Sequence, residues 1–181
     1  RERQRVHVKQ VLGKIDSSCP VVFACGNHDV GDSPTPDDMA SYKDEYGDDY
    51  FVFWKGGCRF LVANSCYLKF PARSQGLAEE HAAWFKEEMG TAPDSDAAHT
   101  IVFSHIPPFV DFDDEGEGWA NCKPELRAPL VESSKAAGIT HWFAGHYHMD
   151  ALAKSEYGES STLEVVTSAA VAGRCFTARQ A

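Results

Sequence analysis

Long apolar runs are missing from this chain: none of its 181 residues falls in a stretch approaching the roughly 20 needed to cross a bilayer. The opening RERQRVHVKQ also lacks the apolar region of a signal peptide. The expectation is a soluble, cytoplasmic protein with no membrane contact. Positive charge is scarce as well, since 17 Lys and Arg against 27 Asp and Glu leave a net charge of −10. That balance argues against a nucleic-acid or anionic-membrane surface built on counterion release. The six cysteines (Cys19, Cys25, Cys58, Cys66, Cys122 and Cys175) contain no C-x-x-C pair. A chain of this size needs no staples, so they read as reduced thiols and core filler. There is no internal repeat, no low-complexity tract and no linker, which leaves one domain over residues 1–181. An initial Met is absent too, and the chain opens inside a helical pattern, so it reads as an internal piece of a longer protein, cut at both ends.

What is present is a core. The chain is 43% hydrophobic, with four Trp, six Tyr and eleven Phe. A helix is expected to about Ile15, then a strand Val21–Cys25, then a helix opening at Pro36 and stopped by Gly47. YFVFWKGGCRFLVANS has the form of a hairpin around Gly56-Gly57. AEEHAAWFKEEMG reads as a helix ending at Gly90, with Ala82, Trp84, Phe85 and Met89 inward. HTIVFSH is a strand halted by two prolines, residues 124–137 a helix, ITHWFAGH a strand, and LEVVTSAAV a late strand. Helices between apolar strands predict layered α/β packing.

Three of these strands end in the same kind of residue: VVFACGNHD, TIVFSHIPP and HWFAGHYH. If they lie parallel, their tips share the sheet edge where open α/β sheets place ligands. The residues gathered there would be Asn27, His28, Asp29, His105, His146 and His148. Imidazoles with an amide or carboxylate oxygen suit Mn, Fe or Zn better than Mg or Ca. In an extended segment His146 and His148 would face one side, roughly 6.5–7 Å apart, and each could hold one of two neighbouring ions. Each element alone has a plainer reading: GNHD as a tight turn, His105 as a core histidine, GHYH as surface polarity. Three strand tips in order carrying compatible donors favour a metal site. The remaining histidines read as structural, with His7 and His81 on exposed helix faces, His99 in a loop and His141 at a strand start.

Gly26-Asn27-His28-Asp29, then His105, then Gly145-His146-Tyr147-His148 resemble, in that order, the last three motifs of the calcineurin-like metallophosphoesterases. The neighbourhoods CGNHDVGDSPT, GDDYFVFWKGG, FSHIPPF and FAGHYHMDA are most similar to the CPPED-type members. The resemblance runs from about Val21 to Ser168. It implies a four-layer α/β/β/α sandwich with two mixed sheets, of which this chain lacks the first strands. It implies a centre of two divalent transition-metal ions (Mn, Fe or Zn), with Asn27, His105 and His146 on one ion and His148 on the other. His28 would be the general acid and Asp29 its support. The family's earlier motifs, D-x-H and G-D-x-x-D, are absent from these 181 residues. The segment alone is therefore expected to bind metal weakly and to have little activity.

The expected reaction is hydrolysis of a phosphomonoester, phosphoserine or phosphothreonine in proteins, by a monomeric enzyme acting on a phosphorylated protein or small phosphoester. The alternatives are a phosphodiesterase acting on cyclic nucleotides or other diesters, and a metal-free scaffold on the same fold. The acidic stretch DFDDEGEGW reads as a solvated loop beside His105 and Trp119 as a packing residue. No phosphate-binding arginine can be chosen among Arg59, Arg73, Arg127 and Arg174.

Overall fold

The computed structural model describes residues 2–92, 96–159 and 161–170. Its centre is a six-stranded mixed sheet in the order β1-β2-β3-β4-β6-β5, with β1 Phe51–Lys55, β2 Cys58–Val62, β3 His99–Phe103, β4 His141–Ala144, β5 Ala151–Tyr157 and β6 Ser161–Thr167. β2, β3, β4 and β6 run parallel, and the edge strands β1 and β5 are antiparallel to their neighbours. Helices α1 (Glu2–Leu12), α2 (Asn27–Val30), α3 (Pro36–Tyr46), α4 (Cys66–Lys69), α5 (Gln75–Thr91) and α6 (Pro124–Ala136) fill the connections. The architecture is mixed α/β, as the alternation of helical and strand patterns implies.

Strand periodicity assigns the two faces. Val52, Leu61, Val102, Trp142, Val165 and Ala153 pair in one row across all six strands. This row packs against Phe85 and Met89 of α5 and Leu130 and Val131 of α6. Trp142 is wholly buried there, and its indole N–H donates to Ser104 Oγ at 2.8 Å. The opposite face carries Phe53, Phe60, Phe103 and Phe143, half-buried and in ring contact in sequence at 4.8, 6.1 and 5.4 Å. The described residues thus supply one sheet and the helical layer on one side; a second sheet is not among them.

Local signals behave as their chemistry requires. Gly56 and Gly57 both take positive φ (61° and 77°), the requirement of a two-residue hairpin turn matched to strand twist. Thr35 caps α3, its Oγ1 accepting from Asp38 N at 3.2 Å while the Asp38 carboxylate accepts from Thr35 N at 2.9 Å.

Several expectations need correction. Among the described residues Val21–Cys25 pairs with no strand, and Val21 and Val22 are 42% and 49% exposed. Apolar β-rich composition marks a segment able to pair, but only a partner's backbone makes it a strand, and the edge positions are taken by β1 and β5. β5 was not anticipated, because its inward residues Ala151, Ala153 and Ser155 are small and its outward Leu152 reverses the expected pattern. His99 is the first residue of β3, not part of a loop. His81 is fully buried, accepting the Asn64 backbone N–H on Nε2 at 3.2 Å.

Candidate metal and catalytic site

The site forms beyond the C-terminal ends of β3 and β4. Past the last paired residues the ladder continues for one more step, with Ser104 N donating to Phe143 O at 3.0 Å and Gly145 N to His105 O at 2.9 Å. Ser104 Oγ, which receives the Trp142 indole, donates to Ile106 O at 3.0 Å, while Ile106 N donates to Ser65 Oγ at 2.7 Å. These bonds clamp His105 from both sides, so its imidazole is positioned by buried backbone rather than by a mobile loop.

Asn27 reaches the same point from a different direction. It begins the single turn α2, whose start is closed by Asp29 Oδ2 accepting from Gly26 N at 3.0 Å. Asn27 Nδ2 donates to Asp32 Oδ1 at 2.8 Å, which fixes the amide so that its oxygen faces His105. Asp32 was not singled out in the sequence, although a carboxylate five residues after a proposed ligand amide is a recognisable signal. Gly26 has φ −121°, an ordinary extended value, so the turn does not require glycine. Space does: a Cβ there would stand 3.0 Å from Cγ and Cδ2 of His105.

Three donors converge. Asn27 Oδ1 lies 3.0 Å from His105 Nε2, which lies 3.3 Å from His146 Nδ1. Ligand atoms about 2.0–2.2 Å from one ion sit roughly 3.0–3.5 Å from each other in tetrahedral or octahedral geometry, so this spacing fits a shared divalent cation. A single proton on His105 Nε2 can serve both acceptors. His146 Nε2 donates to Trp119 O at 3.2 Å, which fixes its tautomer and leaves the Nδ1 lone pair directed at the convergence point. Burial, followed by the like charges of His146, His28 and His148, pushes His105 down to about 4. Burial also lowers His146, with the bond to Trp119 opposing it. Both imidazoles are thus neutral at physiological pH, the form that ligates metal.

His28 is exposed and His148 half-buried. Each is near enough to contribute to the depression of His105, but no hydrogen bond joins either to the three donors among the described residues. His146 and His148 do not lie in an extended segment: both are left-handed, with φ of 64° and 61°. Non-glycine residues held there carry strain of order 1–3 kcal/mol, a feature that gathers at functional sites. Among the described residues no group of three or more His, Cys, Asp or Glu is placed to hold a metal ion. The candidate set is two imidazoles and one amide oxygen, which such a count does not include.

Two of the four candidate arginines already have partners. Arg59 pairs with Glu88, and Arg127, 1% exposed, donates to backbone carbonyls. Arg73 lies in the turn Pro71–Arg73, and Arg174 and Cys175 fall outside the described residues. The five described cysteines are free thiols. No described helix is long and apolar enough to cross a membrane.

Comparison with known proteins follows the same motifs. No family model matches the chain. Proteins named serine/threonine-protein phosphatase CPPED1 are similar along 94% of it: that of Danio rerio is 37% identical over 171 residues, that of Bos taurus 36% over 171, and that of Homo sapiens 34% over 172. The chain spans about half the length of these relatives, 53–54%. Among solved structures, one titled "GAP50 the anchor in the inner membrane complex of Plasmodium" aligns at TM-score 0.48 and 15% identity, covering 68% of this chain and 39% of that one, a likeness too slight to bear on the fold. The ordered GNHD, His105 and GHYH motifs and the identity of more than one third along 94% of the chain make it similar, over about half of their length, to the CPPED-type calcineurin-like phosphoesterases.

Proposed function

We propose that the protein to which this segment belongs is a metal-dependent phosphomonoesterase acting on phosphoserine or phosphothreonine in proteins. The observation that carries the reading is the convergence of Asn27 Oδ1, His105 Nε2 and His146 Nδ1 within 3.0–3.3 Å. Two divalent ions (Mn, Fe or Zn), when bound, would supply Lewis-acid stabilisation of charge on the attacking and phosphoryl oxygens. Asn27, His105 and His146 would hold one ion and His148 would contribute to the other, completed by ligands outside this chain. The ions would also let a protein of net charge −10 accept a dianionic phosphate.

His28 stands exposed at the rim, free to meet a substrate from solvent. Its assigned role is to donate a proton to the leaving alkoxide oxygen of serine or threonine, which would otherwise depart at a pKa far above neutrality. Asp29, by closing the α2 turn through Gly26 N, fixes the backbone from which His28 projects. The expected second sheet would lie on the Phe53, Phe60, Phe103 and Phe143 face.

The test uses the complete, manganese-loaded protein against a phosphoserine peptide and a bis-aryl phosphate. Preference for the peptide is expected; preference for the diester would replace this reading with phosphodiesterase chemistry. His28→Asn should keep its metal and lose roughly 100-fold or more in kcat, within the span of acid–base contributions. Unchanged turnover would remove His28 from the role of acid.

A further inference from the structure

The acidic loop between β3 and α6 is solvent-exposed, as expected, yet its backbone is held by a built hydrogen-bond network. The Glu115 carboxylate accepts the backbone N–H groups of Val110, Asp111 and Phe112 at 2.9, 2.8 and 3.2 Å. Asn121 accepts from Gly118 N at 2.6 Å and donates to Gly116 O at 2.9 Å and to Glu115. From below, buried Arg127 donates to Asp113 O at 3.1 Å and to Glu115 O, and Lys69, 7% exposed, bonds Glu117 at 3.1 Å and Gly118 O. Anchoring two long cations beneath a surface loop fixes its backbone, and a fixed backbone fixes what it displays.

It displays Trp119. The ring is 62% exposed rather than packed, 5.8 Å from the ring of His146 and 5.7 Å from that of Tyr147 at an interplanar angle of 38°. Beside it lies a shallow, open cavity of about 360 Å³ lined by Trp119 and Tyr147, the carboxylate residues Asp111, Glu115 and Glu117, and no cationic residue. Glu117 is satisfied by Lys69 and Asp113 by Lys135, whereas neither Asp111 nor Asp114 forms an ion pair among the described residues. Two aromatic faces beside the Asp111 carboxylate, the one lining carboxylate not already engaged by Lys69 or by the loop backbone, attract a planar cation: tryptophan is the strongest cation–π partner, and a guanidinium both stacks on a ring and bonds a carboxylate.

We propose that this cavity is a substrate subsite that seats an arginine side chain one or two residues from the phosphorylated serine or threonine. Because His146 is both a proposed metal ligand and a neighbour of the Trp119 ring, an occupant of the cavity lies alongside the phosphoryl position. Extended peptide advances roughly 3.3 Å per residue, so only a close neighbour in sequence reaches it. The proposal rests on the phosphopeptide reading above and sharpens it to phosphosites flanked by arginine.

Two measurements on the complete protein separate this proposal from the reading beneath it. Phosphoserine peptides with arginine at each flanking position are compared with the same peptides carrying citrulline, the neutral isostere. Arginine at one position is expected to raise kcat/KM about tenfold, mostly through KM, the factor that one good cation–aromatic contact gives. Trp119→Leu and Asp111→Asn should each erase most of that preference. Equal cleavage of the arginine and citrulline peptides would overturn the subsite while leaving the phosphatase reading standing, and preference for a norleucine peptide over both would make the cavity an apolar pocket instead. Binding of the corresponding non-hydrolysable phosphonate peptides, followed by fluorescence anisotropy, gives a readout independent of turnover. If the protein hydrolyses no phosphoester, a tenfold arginine preference in binding still supports the subsite, and none overturns it.

Discussion

His81 makes the stability of this protein depend on pH in a way that a solvent-facing helical histidine would not. It sits on α5 with no exposure, ringed by Tyr50, Tyr67, Trp84 and Phe85. Nε2 accepts from Asn64 N at 3.2 Å, and Nδ1 has no partner among the described residues. Burial pushes the imidazole down from 6.5 to about 4, against a smaller opposing pull from Asp49. Between those values the unfolded chain binds a proton that the folded chain refuses, so acidification favours unfolding. Stability is therefore fully present above about pH 6.5 and is lost progressively as pH falls toward 4. Between about pH 7 and pH 5 the loss from this one group is about 2 kcal/mol, and at completion about 3 kcal/mol. Urea unfolding of wild type and His81→Gln, whose amide oxygen can still accept from Asn64, should show the difference between the two proteins shrinking by about 2 kcal/mol over that interval. Parallel pH dependences would refute the reasoning, because they would mean that His81 takes up its proton as easily folded as unfolded.

Two further perturbations probe the site. Gly26→Ala places a methyl 3.0 Å from the His105 ring without any backbone strain, so metal affinity, read by isothermal titration, should fall 10–100-fold while unfolding stays cooperative. Asp32→Ala releases the Asn27 amide to rotate, with a similar 10–100-fold loss expected in the same titration; unchanged affinity would show that the amide is held by other means.

Much of this architecture was legible because its signals are local. The Gly56-Gly57 hairpin turn and the helix opening at Pro36 follow from backbone stereochemistry. Part of the candidate constellation follows from strand order: His105 and GHYH stand past the ends of β3 and β4, which run parallel and adjacent, whereas GNHD follows a segment that is not a strand. What escaped the sequence depends on partners. Val21–Cys25 has strand composition but no neighbour to pair with among the described residues. His81 lies on the same inward stripe as Phe85 and Met89, and what a helical pattern cannot reveal is the Asn64 N–H, 17 residues earlier, that satisfies its buried ring. Trp119, read as a packing residue, is exposed for the same reason, because Arg127 and Lys69, which hold its loop from below, lie outside that loop.

The central claim is that Asn27, His105 and His146 share a divalent cation. Elemental analysis of the complete protein after loading with manganese tests it most directly, compared with His105→Ala purified in the same way. Two equivalents in wild type, with at least one lost in the variant, is the predicted result. Wild type without metal, or a variant that retains both equivalents, would contradict it.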